Sequence, residues 1–260
     1  MQAHLNIAVR AARKAGNIIM RAYDQRDHLR IEEKGHNDFV SEVDRNAEAA
    51  IIQELSIAYP EHSFLGEEGG ELLKADPDTL WIIDPLDGTL NFLHHFPHFS
   101  VSIAEQKHQR LEHGLIYNPI TQEFFTASRG ERAKLNDKRM RVSERNNLKG
   151  SLILSNLPHG QLSELEFYQN LVRATVHEVA AYRRTGSTAL DLAFVAAGFA
   201  DAFICQRFAP WDAAAGILLV REAGGLVVDF DGGDNMFAKQ TLLAGNAKIV
   251  KALLQLLQSC

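Results

Sequence analysis

Hydrophobic patterns of two periods alternate along the whole chain, and this alternation restricts the fold more than any other feature of the sequence. Apolar residues recur at helical spacing in residues 3–22 and again in residues 41–58. Short apolar runs with the composition of buried strands come between and after these predicted helices. The predicted strands of this first part are residues 62–66, 80–84, 99–106, 113–119 and 123–128. Because only polar turns separate the last three, they predict an antiparallel sheet.

The second part of the chain alternates strands and helices more regularly. Its predicted strands are residues 151–156, 200–205, 225–230 and 241–245, and its predicted helices are residues 163–178, 186–198, 210–225 and 246–258. Asn146, Asn147, Lys149 and Gly150 mark the predicted seam. We therefore predict an α/β (α+β) fold in which residues 1–260 form one unit, with an N-terminal α+β half at about 1–148 and a C-terminal α/β half at about 149–260.

Composition bounds the class of protein. The chain has 260 residues, 46% of them hydrophobic, which suffices for one large domain or two halves that share a core. A net charge of −6 without a long basic run argues against general nucleic-acid binding. Cys205 and Cys260 offer neither a disulfide framework nor a zinc spacing, so we expect a reducing, cytoplasmic location. No run of about 18 apolar residues is present, so we expect no membrane span.

Residues 81–92, WIIDPLDGTLNF, place two carboxylates where an apolar strand ends. No Lys or Arg lies within this segment to neutralise Asp84 and Asp87. A divalent cation with oxygen ligands would neutralise them, and the carbonyl of Leu86 could add a further oxygen. Gly88 and Thr89 then open a helical stretch whose N–H groups can face an anion. A simple capping turn explains a lone DxxDGT equally well.

Three more acidic residues are candidates for the same site. Glu67 lies in GEEGG, directly after a predicted strand. Asp212 lies in the first turn of a helix predicted to begin at Pro210, and Asp44 lies near the start of another predicted helix. Taken singly, Asp44 and Asp212 are also explained as partners of a helix dipole.

In this order and spacing, GEE, WIIDPLDGTLNF and PWDAAAGILLVREAGG resemble the motifs of the inositol monophosphatase family. The resemblance begins with LNIAVRAARKAGN and NDFVSEVD, runs to GGLVVDF and LLAGN, and covers nearly the whole chain. The N-terminal stretch and RRTGSTALDLAFVAAG are most similar to a bacterial branch of that family. The resemblance implies a layered α/β/α/β/α sandwich of the sugar-phosphatase type, which inositol monophosphatases share with fructose-bisphosphatases.

The resemblance also implies two or three bound Mg²⁺ ions. Glu67, Asp84 and the Leu86 carbonyl would hold the first ion. Asp84, Asp87 and Asp212 would hold the second, and Glu67 would contribute to a weaker third.

By the same resemblance, Glu67, Thr89 and Asp44 would be catalytic. Thr89, oriented by Asp44, would help to deprotonate a water that attacks phosphorus in line, without a phosphoenzyme. The implied enzyme is a Mg²⁺-dependent, Li⁺-sensitive, homodimeric phosphatase of inositol 1-phosphate or a related small polyol or sugar phosphate. The residues predicted to bind substrate are Asp87, Gly88, Thr89, Gly186, Ser187, Thr188, Cys205 and Asp212.

The chain departs from the family pattern at Cys205. Family members usually carry a sugar-recognising Glu at this position, seven residues before the aspartate that is Asp212 here. A thiol cannot accept hydrogen bonds from ring hydroxyls as a carboxylate does. Fructose 1,6-bisphosphate and histidinol phosphate are therefore alternative substrates. Leu90 stands where Thr is common, and we expect only a packing effect there.

A haloacid-dehalogenase-type phosphatase is one rival interpretation. DPLDGT and the later DGGDN (residues 231–235) resemble acidic pieces of that family. Its signature, however, is Asp–x–Asp, in which both side chains point to one side of a strand end. The spacing of three between Asp84 and Asp87 argues against it.

Two further interpretations concern other kinds of binding. Members of the bacterial branch are linked to transcription-complex factors, so a macromolecular partner is the alternative function, with the basic run of residues 139–145 as candidate surface. His94, His95 and His98 are close enough in sequence to suggest a transition-metal site. We interpret them as residues that border the site entrance or face water.

Overall fold

Two β-sheets of unequal size organise the fold. The computed structural model describes residues 2–25, 31–35, 38–156 and 162–257, so Cys260 lies outside the described residues. The helices are α1 (Gln2–Tyr23), α2 (Glu42–Ala58), α3 (Thr89–Leu93), α4 (Leu162–Thr175), α5 (Thr188–Ala196), α6 (Pro210–Glu222), α7 (Met236–Lys239) and α8 (Ala247–Leu257). The strands are β1 (Ile31–Gly35), β2 (Asp38–Ser41), β3 (His62–Gly66), β4 (Gly70–Leu72), β5 (Asp76–Asp87), β6 (Ser100–Lys107), β7 (Arg110–Asn118), β8 (Glu123–Ser128), β9 (Lys134–Leu135), β10 (Lys138–Arg139), β11 (Leu152–Ser155), β12 (Ala181–Arg183), β13 (Ala202–Gln206), β14 (Leu226–Val228) and β15 (Thr241–Gly245).

The larger sheet has the strand order β10-β9-β8-β7-β6-β5-β3-β4, and the smaller has the order β12-β11-β13-β15-β14. Strands β5 to β8 are antiparallel neighbours, which confirms the antiparallel sheet predicted in the first half. β3 pairs in parallel with β5. In the smaller sheet, β11 is parallel to β12 and β13, whereas β15 is antiparallel to β13 and β14. β1 and β2 form a separate antiparallel pair.

Alternating side chains of β5 separate two hydrophobic clusters. Trp81 and Ile83 are fully buried and pack with α1 and α2 on one face of the larger sheet. Ile82 belongs to the cluster on the other face, where α5 and α6 lie. This is the period of two that a strand buried on both faces requires.

The smaller sheet repeats this arrangement on the far side of α5 and α6. From β13, Phe203 and Cys205 join the cluster of α5 and α6, while Ala202 and Ile204 face α8 and α4. The layers therefore run α1/α2, larger sheet, α5/α6, smaller sheet, α4/α8, which confirms the predicted α/β/α/β/α sandwich. Among the described residues, no helix is both long and apolar enough to cross a lipid bilayer.

Most differences from the predicted elements concern strands. β5 extends beyond the predicted residues 80–84 at both ends. The prediction was too short because Pro77 and Pro85, which lie within β5, usually mark the end of a strand. β4, β9, β10 and β12 were not predicted, since each has only two or three residues and all four lie at or near sheet edges.

Candidate active site

A β-bulge near the end of β5 brings Asp84 and Asp87 to the same site. Opposite β6, Asp84 pairs with Ser102 and Asp87 pairs with Ser100, so three steps along β5 match two along β6. In a regular strand, side chains three positions apart would point to opposite faces. The extra residue reverses that alternation, and Pro85 lies where its missing N–H is tolerated.

Glu67 and Asp212 join these two aspartates from other elements. Glu67 follows β3, and its N–H donates to the carbonyl of Ile83 on β5 at 3.2 Å. Its carboxyl group is hydrogen bonded to that of Asp84. Asp212 lies in the first turn of α6, where its carboxylate also accepts the N–H of Ala209 at 2.8 Å.

Burial raises the pKa values of the three aspartates in this group. Burial raises the pKa of Asp84 well above its ordinary value, and the negative charges of Glu67, Asp87 and Asp212 add to the effect. Burial followed by the charge of Asp87 raises the pKa of Asp212 to about 7. Burial raises the pKa of Asp87 to about 6, although hydrogen bonds oppose it. A cluster of buried carboxylates is a donor set that fits a hard divalent cation.

The N-terminus of α5 holds Asp87 in place. The Ser187 hydroxyl donates to Oδ2 of Asp87, as does the N–H of Ala189 at 3.0 Å, and the N–H of Thr188 donates to Oδ1 at 3.2 Å. Ser100 on β6 adds a longer contact of 3.4 Å. A helix N-terminus favours negative charge, so α5 orients this carboxylate and partly offsets its burial.

Thr89 and Asp44, which the family resemblance pairs, are in contact. The Thr89 hydroxyl lies 3.1 Å from Oδ1 of Asp44 and 3.0 Å from the carbonyl oxygen of Leu86, and both are acceptors. Asp44 lies in the first turn of α2 and is 1% exposed. Gly88, just before α3, has φ +91°, and a Cβ there would approach the His98 carbonyl at 3.1 Å. Glycine at this position therefore lets the chain turn sharply from β5 into α3.

A cavity of about 510 Å³ opens beside these groups, between α3, the loop before α5 and the start of α6. It contains four of the predicted substrate-binding residues. Cys205 is fully buried and is not among the lining residues. Burial, then the charge of Asp212, raises the pKa of its thiol well above the ordinary value. The residues that line the cavity include Asn156, Arg184, Gly186, Ser187, Thr188, Arg207 and Asp212.

Sequence reasoning missed the residues that fix the loops of the site. Glu48 is buried and accepts the N–H of Glu68 at 3.0 Å and that of Gly69 at 2.7 Å, which holds the loop that carries Glu67. Its position four residues after Asp44, on the same face of α2, was the available signal. Asn91 donates to the carbonyl of His98 at 2.7 Å and to that of Thr185, before α5, at 2.8 Å.

The three closely spaced histidines do not converge. His94 is exposed, and His95 stacks on Tyr23 with ring centroids 4.1 Å apart. His98 is largely buried, with Nε2 4.0 Å from Asp191. The interpretation of these residues as entrance or solvent-facing side chains thus fits His94 alone.

The DGGDN turn is a surface feature rather than part of a catalytic centre. Asp231 and Asp234 are exposed and pair with Lys239 and Arg221 respectively. This geometry gives no support to the dehalogenase-type interpretation.

Comparisons with known proteins agree with the fold. The model of the inositol monophosphatase family matches residues 1–260. Nus factor SuhB of Escherichia coli (strain K12) is 49% identical over 254 residues, which are 98% of this chain and 95% of that relative. The structure of the extragenic suppressor protein suhB from Bartonella henselae is 46% identical, with a TM-score of 0.96 and 98% of both chains covered. Inositol monophosphatase from Anabaena is 31% identical, with a TM-score of 0.86 and coverage of 99% of this chain and 96% of that one. The chain belongs to the inositol monophosphatase family.

Proposed function

We propose that the protein is a Mg²⁺-dependent phosphomonoesterase that hydrolyses a small polyol or sugar phosphate. The observation that carries this proposal is the convergence of the buried carboxylates Asp84, Asp87 and Asp212 beside the turn into α3. Membership of the inositol monophosphatase family supports it.

Five groups are proposed to hold the metal ions. Glu67, Asp84 and the Leu86 carbonyl would bind one ion, and Asp84, Asp87 and Asp212 a second. When bound, the ions would lower the pKa of water and polarise the phosphoryl oxygens.

Thr89 and Asp44 are proposed to move the proton of the attacking water. The Thr89 hydroxyl oxygen lies 3.1 Å from Oδ1 of Asp44 and 3.0 Å from the Leu86 carbonyl oxygen, and both neighbours can only accept. The hydroxyl would donate its one hydrogen to one of them, which leaves its lone pairs to receive a proton. Asp44 would take the proton that Thr89 gives up. The N–H groups of Gly88 and Thr89 would bind the phosphate, by analogy with the family.

Charge-neutralising substitutions test this assignment. We expect Asp87→Asn and Asp212→Asn each to lower phosphate release by more than about 100-fold, because each removes a proposed ligand. Asp234→Asn, on the exposed DGGDN turn, is the matched control and should retain activity. Full activity in both site variants would show that the assignment is wrong.

The cavity favours a substrate with a second anionic group. Where members of the family usually have a carboxylate, this chain has the buried Cys205, and two arginines, Arg184 and Arg207, are among the residues that line the cavity. Arg207 has φ +51°, and its N–H donates to the carbonyl of Gln240 at 2.8 Å. The side chain of Asn156 accepts the N–H of Gln206 at 3.0 Å and donates to the Gln206 carbonyl at 2.8 Å. The backbone that carries Arg207 is therefore fixed, and a guanidinium there suits a phosphate or carboxylate.

A substrate panel tests this refinement. Phosphate release from inositol 1-phosphate, fructose 1,6-bisphosphate, histidinol phosphate and nucleotide monophosphates would be measured with Mg²⁺, with and without Li⁺. We expect Arg207→Ala to raise KM for the bisphosphate about tenfold with little change in kcat, and to leave KM for inositol 1-phosphate nearly unchanged. Equal effects on both substrates would contradict a second anion site.

The alternative function is association with a transcription complex. The name of a similar protein favours this function: Nus factor SuhB of Escherichia coli is 49% identical to this chain. The predicted basic surface, residues 139–145, is exposed at Arg139 and Arg141. Desolvation, followed by the charges of Arg132 and Arg141, lowers the pKa of the Arg139 guanidinium. A pull-down with purified transcription proteins, repeated with Arg139→Ala/Arg141→Ala, would test it. Equal capture by both forms would exclude this surface.

A further inference from the structure

A second group of ligand-type side chains lies away from the proposed catalytic site. It consists of His4 in the first turns of α1, Glu105 on β6 and His113 on β7. One ligand atom of each lies within 4.8 Å of those of the other two. Glu105 and His113 are opposite each other in the β6–β7 ladder, and α1 packs against both strands. We call these three residues the histidine–glutamate triad.

The triad combines a deeply buried carboxylate and a buried histidine with a partly exposed histidine. The side chains of Glu105 and His113 are 3% and 6% exposed, whereas that of His4 is 32% exposed. A carboxylate this deeply buried requires a positive partner or a hydrogen-bond donor. The partial exposure of His4 leaves a path by which a small ion could enter from solvent.

The triad is oriented as metal ligands are. Nδ1 of His113 lies 2.9 Å from the Ser128 hydroxyl, and this contact turns Nε2 towards Glu105, 3.8 Å away. Metal-binding histidines usually hold their second ring nitrogen in such a hydrogen bond. Nδ1 of His4 lies 2.9 Å from both carboxylate oxygens of Glu105.

The separations suit a small tetrahedral ion. Bonds of about 2.0–2.1 Å to zinc place neighbouring ligand atoms about 3.3 Å apart. The 2.9 Å and 3.8 Å separations in the triad lie on either side of that value, so small side-chain shifts would admit the ion. Two imidazoles with one carboxylate select a borderline transition metal over Mg²⁺.

We propose that His4, Glu105 and His113 bind a zinc-class divalent ion that fastens the start of α1 to β6 and β7. This site is separate from the proposed Mg²⁺ site. Glu105 pairs with Trp81, and Asp84 pairs with Ser102 further along the same two strands. Three residues of strand correspond to about 10 Å. The ion would thus stabilise the fold without taking part in phosphate hydrolysis, and a solvent molecule would complete its coordination.

Calorimetric titration of the metal-stripped full-length chain with Zn²⁺, in excess Mg²⁺ to saturate the oxygen-rich site, tests the proposal. We expect a Zn²⁺-binding event that His4→Gln and His113→Gln each weaken at least tenfold, and that Ser128→Ala weakens about tenfold through the orientation of His113. His108→Gln is the matched control, since this exposed histidine lies in the same hairpin but outside the triad. Asp212→Asn should leave the event unchanged, which separates this site from the proposed catalytic one.

Circular dichroism of each variant would establish that it is folded before titration. His4→Gln changes a partly exposed side chain, so it keeps the test available should His113→Gln fail to fold. Absorption spectra with Co²⁺ should show tetrahedral coordination in the wild-type chain and lose it in the triad variants. If wild type and His4→Gln bind Zn²⁺ equally in excess Mg²⁺, the triad is a hydrogen-bonded cluster without metal and the proposal is wrong.

Discussion

Two acidic turns of this molecule bury carboxylates in opposite ways. At the first, the Asp229 side chain is fully buried and accepts the N–H groups of Asp231, Gly233 and Asn235 at 2.8, 3.0 and 3.2 Å. Lys239 adds an ammonium group 2.9 Å away. Burial alone would raise the pKa of Asp229, but the hydrogen bonds from Lys239 and the backbone outweigh it and lower the pKa to about 2.

At the second turn, Asp84 and Asp87 meet Asp212, and no lysine or arginine of the described residues pairs with any of the three. Their pKa values are raised, in the case of Asp212 to about 7, even though Asp87 accepts several hydrogen bonds. This contrast distinguishes a structural carboxylate from a potential metal ligand. A buried carboxylate that the chain itself neutralises completes a turn, whereas a cluster left short of positive charge is poised to bind a cation.

Asp84→Asn should give the largest contrast, with opposite effects on activity and stability. We expect phosphate release to fall more than about 100-fold, because the residue proposed to bridge both ions is lost. In EDTA, however, the melting temperature should not fall, because the amide removes repulsion from Glu67, Asp87 and Asp212. Phosphate-release assays and thermal unfolding would measure both. A variant that is active, or that melts well below wild type, would show that Asp84 is not the metal ligand proposed here.

Asp229→Asn should behave in the reverse way. The amide cannot form the ion pair with Lys239, so the free energy of unfolding should fall by about 2 kcal/mol, allowing for the partial exposure of that lysine. Activity per folded molecule should be unchanged. Denaturant unfolding would measure the loss, with the exposed Asp234→Asn as control. No loss of stability would mean that the paired carboxylate contributes little.

The stabilisation that Mg²⁺ provides should depend on pH. Since the pKa values of Asp87 and Asp212 are raised to about 6 and about 7, protons compete with the ion more strongly at pH 6 than at pH 8. The rise in melting temperature on adding Mg²⁺ should therefore be larger at pH 8, by about 2–4 °C. Comparing the melting temperature with and without Mg²⁺ at the same pH removes the contribution of other groups, such as histidines, that titrate between pH 6 and pH 8. An equal rise at both pH values would contradict the raised pKa values.

Ser187→Ala should have the smallest effect. It removes one hydrogen bond to Asp87, worth about 1 kcal/mol, and leaves the N–H groups of Thr188 and Ala189 in place. We expect the Mg²⁺ concentration for half-maximal activity to rise about threefold to tenfold. Ser155→Ala, in the same cavity wall, is the control. An unchanged Mg²⁺ requirement would show that α5 does not orient Asp87.

Hydrophobic period is a local property, so it predicted the alternation of helices and strands, whereas the family resemblance implied the layered sandwich. α1, α2, β6 and β15 lie within a few residues of their predicted bounds. β5 was predicted too short, because prolines within a strand signal its end unless a bulge accommodates them, and a bulge depends on the partner strand. The division into halves at about residue 148 stays a prediction. The larger sheet lies entirely before that residue and the smaller sheet entirely after it.

The site was predicted by motif, but its support was not. Asp87 and Ser187 are 100 residues apart in sequence, so no local pattern could show that α5 holds this carboxylate. The Glu105–His113 pairing likewise requires the register of β6 and β7. Cys205 was predicted to end a strand and lies in β13. That it is completely buried and absent from the cavity lining could not be predicted from the sequence.

Phosphate release by the metal-stripped wild-type chain, measured as Mg²⁺ is added back, tests whether this protein is a Mg²⁺-dependent phosphatase. Inositol 1-phosphate and fructose 1,6-bisphosphate would be the substrates, and Asp212→Asn would be assayed in parallel. We expect negligible release without Mg²⁺, a saturable rise as the ion is added, and no such rise in the variant. Release that persists in EDTA, or that is equal in both proteins, would contradict a Mg²⁺-dependent phosphatase built on Asp84, Asp87 and Asp212.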